Sequence, residues 1–198
     1  MMFASSGDGL KNYFTYSYHI RHDSSAVSFE GMNYPYGEHI MYTDCHPVAA
    51  LLLRSLSGLF PSIAGYSVGI LNFLMILSVF LTFIVVYLLL AEFGINRWIG
   101  LIFSVGITLL APQIFRLGGH LALSYSLAIP LSWLLIIKSL KKPDRFSLYF
   151  LILLNNTFWF FIHAYLGMIV SFFLLMMLVV HFLTDRDKLK KIRHTLSL

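Results

Sequence analysis

The chain has 198 residues, 58% hydrophobic and 12% charged, with a formal net charge of +5 and a mean hydropathy of +0.78. Soluble domains carry about a quarter charged residues, so this composition excludes an ordinary water-soluble fold and requires the bilayer as part of the solvent. It also excludes a nucleic-acid binder, because the Lys and Arg residues sit in short loops between apolar runs rather than among aromatics on one face.

Residues 1–61 read as a mostly polar region with short amphipathic pieces. Within it, "GMNYPYGEHIMYTDCHP" (31–47) gathers acids, histidines and tyrosines around Gly-Pro punctuation. As a bare turn it needs only Pro35 to fix one φ, Gly31 and Gly37 to permit positive φ, and tyrosines to anchor the membrane interface. The following "VAALLLRSLSGLF" (48–60) is apolar on one helical face and too short to span, and Pro47 and Pro61 bracket it. It predicts a helix lying in the interface.

Apolar runs follow. Residues 65–92 are long enough for a tilted span, and 98–112 lie near the lower limit. Residues 121–140 form a third span with Pro130 inside it, read as a kink. The stretch 147–183 is too long for one helix, and its polar aromatic centre, "NNTFWFFIHAY", splits it into 146–159 and 164–183. The expected fold is an all-α polytopic membrane protein with about five transmembrane helices. A polar extracytoplasmic loop with interfacial helices (1–61) precedes the bundle (62–184), and a basic cytoplasmic tail (185–198) follows it.

Charge placement orients this layout. With the N-terminal region outside, the inside loops hold Lys138, Lys141, Lys142, Arg145, Arg186, Lys188, Lys190, Lys191 and Arg193. The outside keeps Lys11, Arg21, Arg54 and Arg116, which is the positive-inside pattern. No basic n-region and apolar h-region open the chain. An exported start without such a signal leads to the expectation of a preceding helix, and the basic end leads to the expectation of a further span, so truncation at both ends is expected. The single Cys45 excludes an internal disulfide.

The same topology collects polar chemistry on the outer face. The first region carries Asp8, Glu38, Asp44, His39 and His46, the second turn Arg116 and His120, and the third Asn155, Asn156, Trp159 and His163. Ionisable groups at membrane depth are costly and therefore functional candidates. Each also has a plain structural reading: Asp8 as a helix cap, Arg116 as a helix end, His120 and His163 as satisfied interfacial histidines. Glu38, Asp44 and His46 match no standard metal-ligand spacing, so no ligand motif supports a divalent metal. No nucleophile elbow, P-loop, GxGxxG or HExxH occurs.

"SSGDGLKNYFTY", "FEGMNYPYGEHIMYTDCHP", "VAALLLRSLSGLF", "RLGGHLALSYSLAIPL" and "HAYLG" together resemble the amino-terminal portion of GT-C type glycosyltransferases, polytopic enzymes using lipid-phosphate-linked sugars. The resemblance rests on layout and short motifs. It implies an all-α bundle in a bacterial inner membrane, a polyprenyl-phosphate-linked sugar donor as partner, and an acidic general base in the first loop. It makes Asp8 the first choice for that base, Asp44 the second and Glu38 the third. It gives Arg116 and His120 to the leaving phosphate, adds His163 to the substrate-binding set, and offers Tyr34, Tyr36 and Tyr42 as platforms for sugar faces. The competing expectation is a transporter or ligand-binding membrane protein in which a helix kinked at Pro130 moves.

Overall fold

The computed structural model describes residues 2–4 and 6–184. The expected basic tail at 185–198 lies outside the described residues.

The first element was not expected as a continuous helix. Helix α1 (Gly7–Arg21) buries Gly9, Asn12, Tyr13, Tyr16 and Ile20, a three-to-four residue spacing that places one face inward. The signal is weak in sequence because the buried face is itself aromatic and polar. A hairpin of two short strands follows, β1 (Ser28–Phe29) and β2 (Glu38–His39), paired antiparallel with Ser28 opposite His39 and Phe29 opposite Glu38. Phe29 is fully buried and meets the rings of Phe14 and Tyr18 on α1 edge-on. A 3₁₀ turn (Ile40–Tyr42) leads to helix α2 (Pro47–Leu59), which opens on proline as the sequence predicts.

Helix α2 buries Pro47, Ala49, Ala50 and Leu53 and exposes Leu52, Leu56 and Leu59. It packs on α1 and presents an apolar ridge outward. After a 3₁₀ turn (Pro61–Tyr66) comes helix α3 (Ser67–Glu92). Its buried residues Ser67, Leu71, Met75, Ser78, Thr82, Val86 and Leu89 form one stripe, and the rest of its surface is apolar.

Helix α4 (Arg97–Leu109) lies against α3 through Gly100, Ser104 and Thr108, small side chains every fourth residue that let the backbones approach. A short helix α5 (Pro112–Phe115) and 3₁₀ turns at Arg116–Gly118 and Leu121–Leu123 bring the chain back. Helix α6 is Ala128–Lys141, α7 is Phe146–Ile162 and α8 is Ala164–Thr184.

Among the described residues the fold is therefore all-α apart from one hairpin, with four segments long and apolar enough to cross a membrane: Pro61–Glu92, Arg97–Gly118, Leu121–Lys141 and Ala164–Thr184. The expected span at 146–159 corresponds to α7, whose 17 residues place it among the shorter apolar helices. Regular helix begins at Ala128 in the third span, so Pro130 occupies its first turn. There its missing N–H has no intrahelical acceptor to lose, and Pro130 makes no mid-helix kink.

Asn155, Asn156 and Trp159 correct another expectation, since they sit inside α7 rather than in a turn. Asn155 Nδ2 donates to Ser132 Oγ at 2.8 Å, its Oδ1 accepts from Trp159 Nε1 at 2.9 Å, and Asn156 Oδ1 accepts from Ser171 Oγ at 2.9 Å. Their polarity clamps α7 to α6 and α8. The break between α7 and α8 is the single residue His163, in extended conformation.

The core sits where the polar region meets one end of the bundle. It joins Tyr13, Tyr16 and Ile20 of α1 with Ala50 and Leu53 of α2, Leu71 and Met75 of α3, and Trp159 and Leu166 of α7 and α8. At the opposite end, Lys141 Nζ donates to the Glu92 carboxylate at 2.8 Å and closes α6 against α3.

Candidate functional site

At the core end, α1, the loop before α2, the turn after α5 and the α7–α8 junction enclose a cavity of about 250 Å³. Asp8, Asn12, Asp44, His120, His163 and Tyr165 contribute its polar groups. Four residues singled out from sequence therefore meet, although Asp8 and His163 are distant in the chain.

Asp44 is held by its backbone as well as its partners. It has φ 58°, in the left-handed region that Asp and Asn tolerate better than most residues. Its Oδ2 accepts from Lys11 Nζ at 3.1 Å, and its Oδ1 accepts from His163 Nε2 at 2.8 Å. His163 Nδ1 accepts from the Tyr165 N–H at 3.2 Å, which assigns the ring proton to Nε2 and points it at Asp44. The His163 hydrogen bond, opposed by partial burial and aided by Lys11, brings the Asp44 carboxyl down to about 2.

Asp8 opens α1 in its first turn, where the helix dipole favours negative charge. Its Oδ2 lies 3.4 Å from His120 Nδ1, and both side chains are more than half exposed on the cavity rim. The next residue fixes this approach: a Cβ on Gly9 would meet the Gly119 carbonyl at 3.1 Å and would overlap Ala4. Asn12 ties the same elements together, since its Nδ2 donates to the Asp8 carbonyl at 2.7 Å and its Oδ1 accepts from the Ala122 N–H at 3.3 Å.

Behind the cavity lies a layer of buried polar side chains. His46, also left-handed with φ 53°, is fully buried and hydrogen-bonded through Nδ1 to the Tyr125 hydroxyl at 3.2 Å. Burial pushes it down to about 3, so it is neutral near pH 7. Burial also raises the Cys45 thiol to about 12. Farther along α1, His19 Nδ1 donates to Asp23 Oδ2 at 2.6 Å in a fully buried pair. Arg54 donates to the carbonyls of Asp23 and Ser24 at 2.8 Å and to that of Ser25, tying that corner to α2.

The remaining sequence candidates lie elsewhere. Glu38 is on β2 and accepts from Asn33 Nδ2 at 3.0 Å, outside the cavity. Tyr34 and Tyr36 stand on the hairpin tip, 93% and 92% exposed, and Tyr42 is 75% exposed beside His39. Arg116 is exposed in the turn before His120 and does not line the cavity. Sequence reading missed Lys11, Asn12 and Tyr165 as site residues. The first two had a signal, because Asp8, Lys11 and Asn12 fall three and four residues apart on one helical face.

Chemically, the cavity carries two carboxylates, one of them paired with the Lys11 ammonium beside it, with amide and imidazole donors around them. That charge balance suits a neutral, hydroxyl-rich group and disfavours a phosphate. Among the described residues no three His, Cys, Asp or Glu side chains group so as to hold a metal ion. No curated protein and no solved structure matches the chain significantly. A family profile described as a domain of unknown function, DUF6311, matches residues 1–198, and the chain belongs to that family.

Proposed function

We propose that the chain takes part in sugar transfer as a GT-C type membrane glycosyltransferase, its cavity binding the acceptor on the extracytoplasmic side of a bacterial inner membrane. The donor is a lipid-phosphate-linked sugar. One observation carries this reading: Asp8, Asp44, His120 and His163 converge on one cavity at the end of an apolar helix bundle, with Lys11 paired to Asp44 beside it.

The two carboxylates take different roles. Asp44, at about 2 and held by two partners, is a weak base and positions His163 and Lys11. Asp8 stands at the rim, and among the described residues its ion-pair partner is His120. Asp8 removes the proton from the acceptor hydroxyl as that oxygen attacks the anomeric carbon, and the sugar–phosphate bond breaks with its electron pair leaving on the lipid phosphate. Arg116, in the adjoining exposed turn, is the cation assigned to that phosphate.

The test is transfer from a radiolabelled polyprenyl-phosphate sugar in membranes containing the protein. Asp8→Asn should lower the rate by roughly 10²-fold or more while insertion is unchanged. Transfer by Asp8→Asn at the wild-type rate removes Asp8 from the chemistry. Absence of transfer by the wild type across donors defeats the whole reading.

A further inference from the structure

A second groove lies on the other side of α1, away from the polar cavity and independent of the sugar-transfer reading. It has a volume of about 390 Å³ and runs along α1 where that helix crosses the first turn of α3. Leu10 and Phe14 form its floor, Val68 its α3 wall, and Tyr18, Arg21 and His22 its far end. Among the described residues no acid lines it.

Its position and its charge point to one class of occupant. Ser17 Oγ and Ser67 Oγ lie 3.2 Å apart and the Tyr13 hydroxyl donates to Asn72, so α1 is fastened across the start of the first membrane-length segment. Beyond Val68 the surface of α3 stays apolar, with Phe73 and Ile76 exposed. The rings of Phe14, Tyr18 and His22 succeed one another at 5.5 and 5.0 Å, a ladder of the interfacial kind. Arg21 donates Nε and Nη2 to the Ala64 carbonyl at 3.2 and 2.9 Å. That carbonyl orients the guanidinium at the groove's end and leaves Nη1 and the positive charge for an anion.

We propose that this groove binds an anionic phospholipid. Its phosphate-bearing headgroup is received by Arg21 and His22, and the first part of one acyl chain lies along Leu10, Phe14 and Val68. A juxtamembrane cation attracts anionic lipid electrostatically, while the apolar floor supplies burial for the chain.

The experiment uses the chain purified in neutral detergent, mixed with dioleoyl phosphatidylglycerol or dioleoyl phosphatidylcholine and read by native mass spectrometry. Phosphatidylglycerol should remain bound and phosphatidylcholine should not. Arg21→Gln should weaken phosphatidylglycerol binding roughly fivefold, and Arg21→Lys should retain most of it. Val68→Trp fills the groove, leaves Arg21 on its carbonyl and should also lose the lipid, which keeps the test decisive where Arg21→Gln does not fold. Equal retention of both lipids, retention of neither, wild-type phosphatidylglycerol binding by Arg21→Gln or Val68→Trp, or equal loss in Arg21→Gln and Arg21→Lys overturns the proposal.

Discussion

Asp44 and His163 are 119 residues apart in sequence and 2.8 Å apart in space. Their hydrogen bond joins the loop before α2 to the junction between α7 and α8, and Lys11 extends it to α1. Most of what is specific about this protein passes through that carboxylate.

Asp44→Asn isolates its charge, because Asn also tolerates the left-handed backbone at φ 58°. The folded carboxyl lies at about 2 against 3.8 for the free group, so its contribution is present above pH 3.8 and is lost as pH falls to about 2. With the side chain 32% exposed, solvent screening limits that contribution to roughly 1–2 kcal/mol. In thermal unfolding of the micelle-bound protein, wild type should exceed Asp44→Asn by this amount at pH 6, and the gap should close between pH 4 and pH 2. A gap that persists unchanged at pH 2 would assign the effect to shape rather than charge.

His46 governs a different range of acidity. It lies at about 3 in the folded chain against 6.5 when free, so the unfolded chain binds its proton first and stability falls as pH drops from about 6.5 toward 3. His46→Asn tolerates the positive φ and should flatten the stability–pH curve over that interval. His19, also lowered by burial, accounts for slope that remains. An identical slope in wild type and variant would mean that His46 does not titrate with unfolding.

Orientation can be read with thiols. Cys45 is buried and its thiol is raised to about 12, so little reactive thiolate forms near pH 7 and the native residue should be silent to maleimide. Tyr34 is 93% exposed, so Tyr34→Cys supplies a reporter on an otherwise silent background. Intact cells treated with a membrane-impermeant maleimide should label Tyr34→Cys and not wild type. Labelling of Tyr34→Cys only after permeabilisation would invert the proposed topology.

Asn155 links α7 to α6 through Ser132 and braces Trp159. Asn155→Leu should cost about 1–2 kcal/mol, in the range of interhelical hydrogen bonds in membranes, seen as a lowered unfolding midpoint in micelles. Unchanged stability would show that these bonds exchange freely with other partners.

The long bundle helices were legible from the sequence because an apolar run over many turns leaves little choice of structure. The expected 65–92 and 164–183 correspond to Ser67–Glu92 and Ala164–Thr184. The Pro47 helix start was equally legible, since proline lacks an N–H that the first turn does not need. Helix α1 was not, because Tyr13, Thr15, Tyr16 and His19 make its buried face and look like loop chemistry to a hydrophobicity reading. Asn155 and Asn156 misled for a related reason: amides bonded between helices carry the same letters as amides in a turn. Of the site, the acids and histidines could be named, but their selection required the fold. Nothing local to Glu38 or Tyr34 says that the hairpin carries them away from the cavity that receives Asp44.

A single extended residue between α7 and α8 has a mechanical consequence. The two helices share a pivot at His163, and the pivot's imidazole is bonded to Asp44. The angle at which α8 leaves α7 and the wall of the polar cavity are therefore set at one and the same residue.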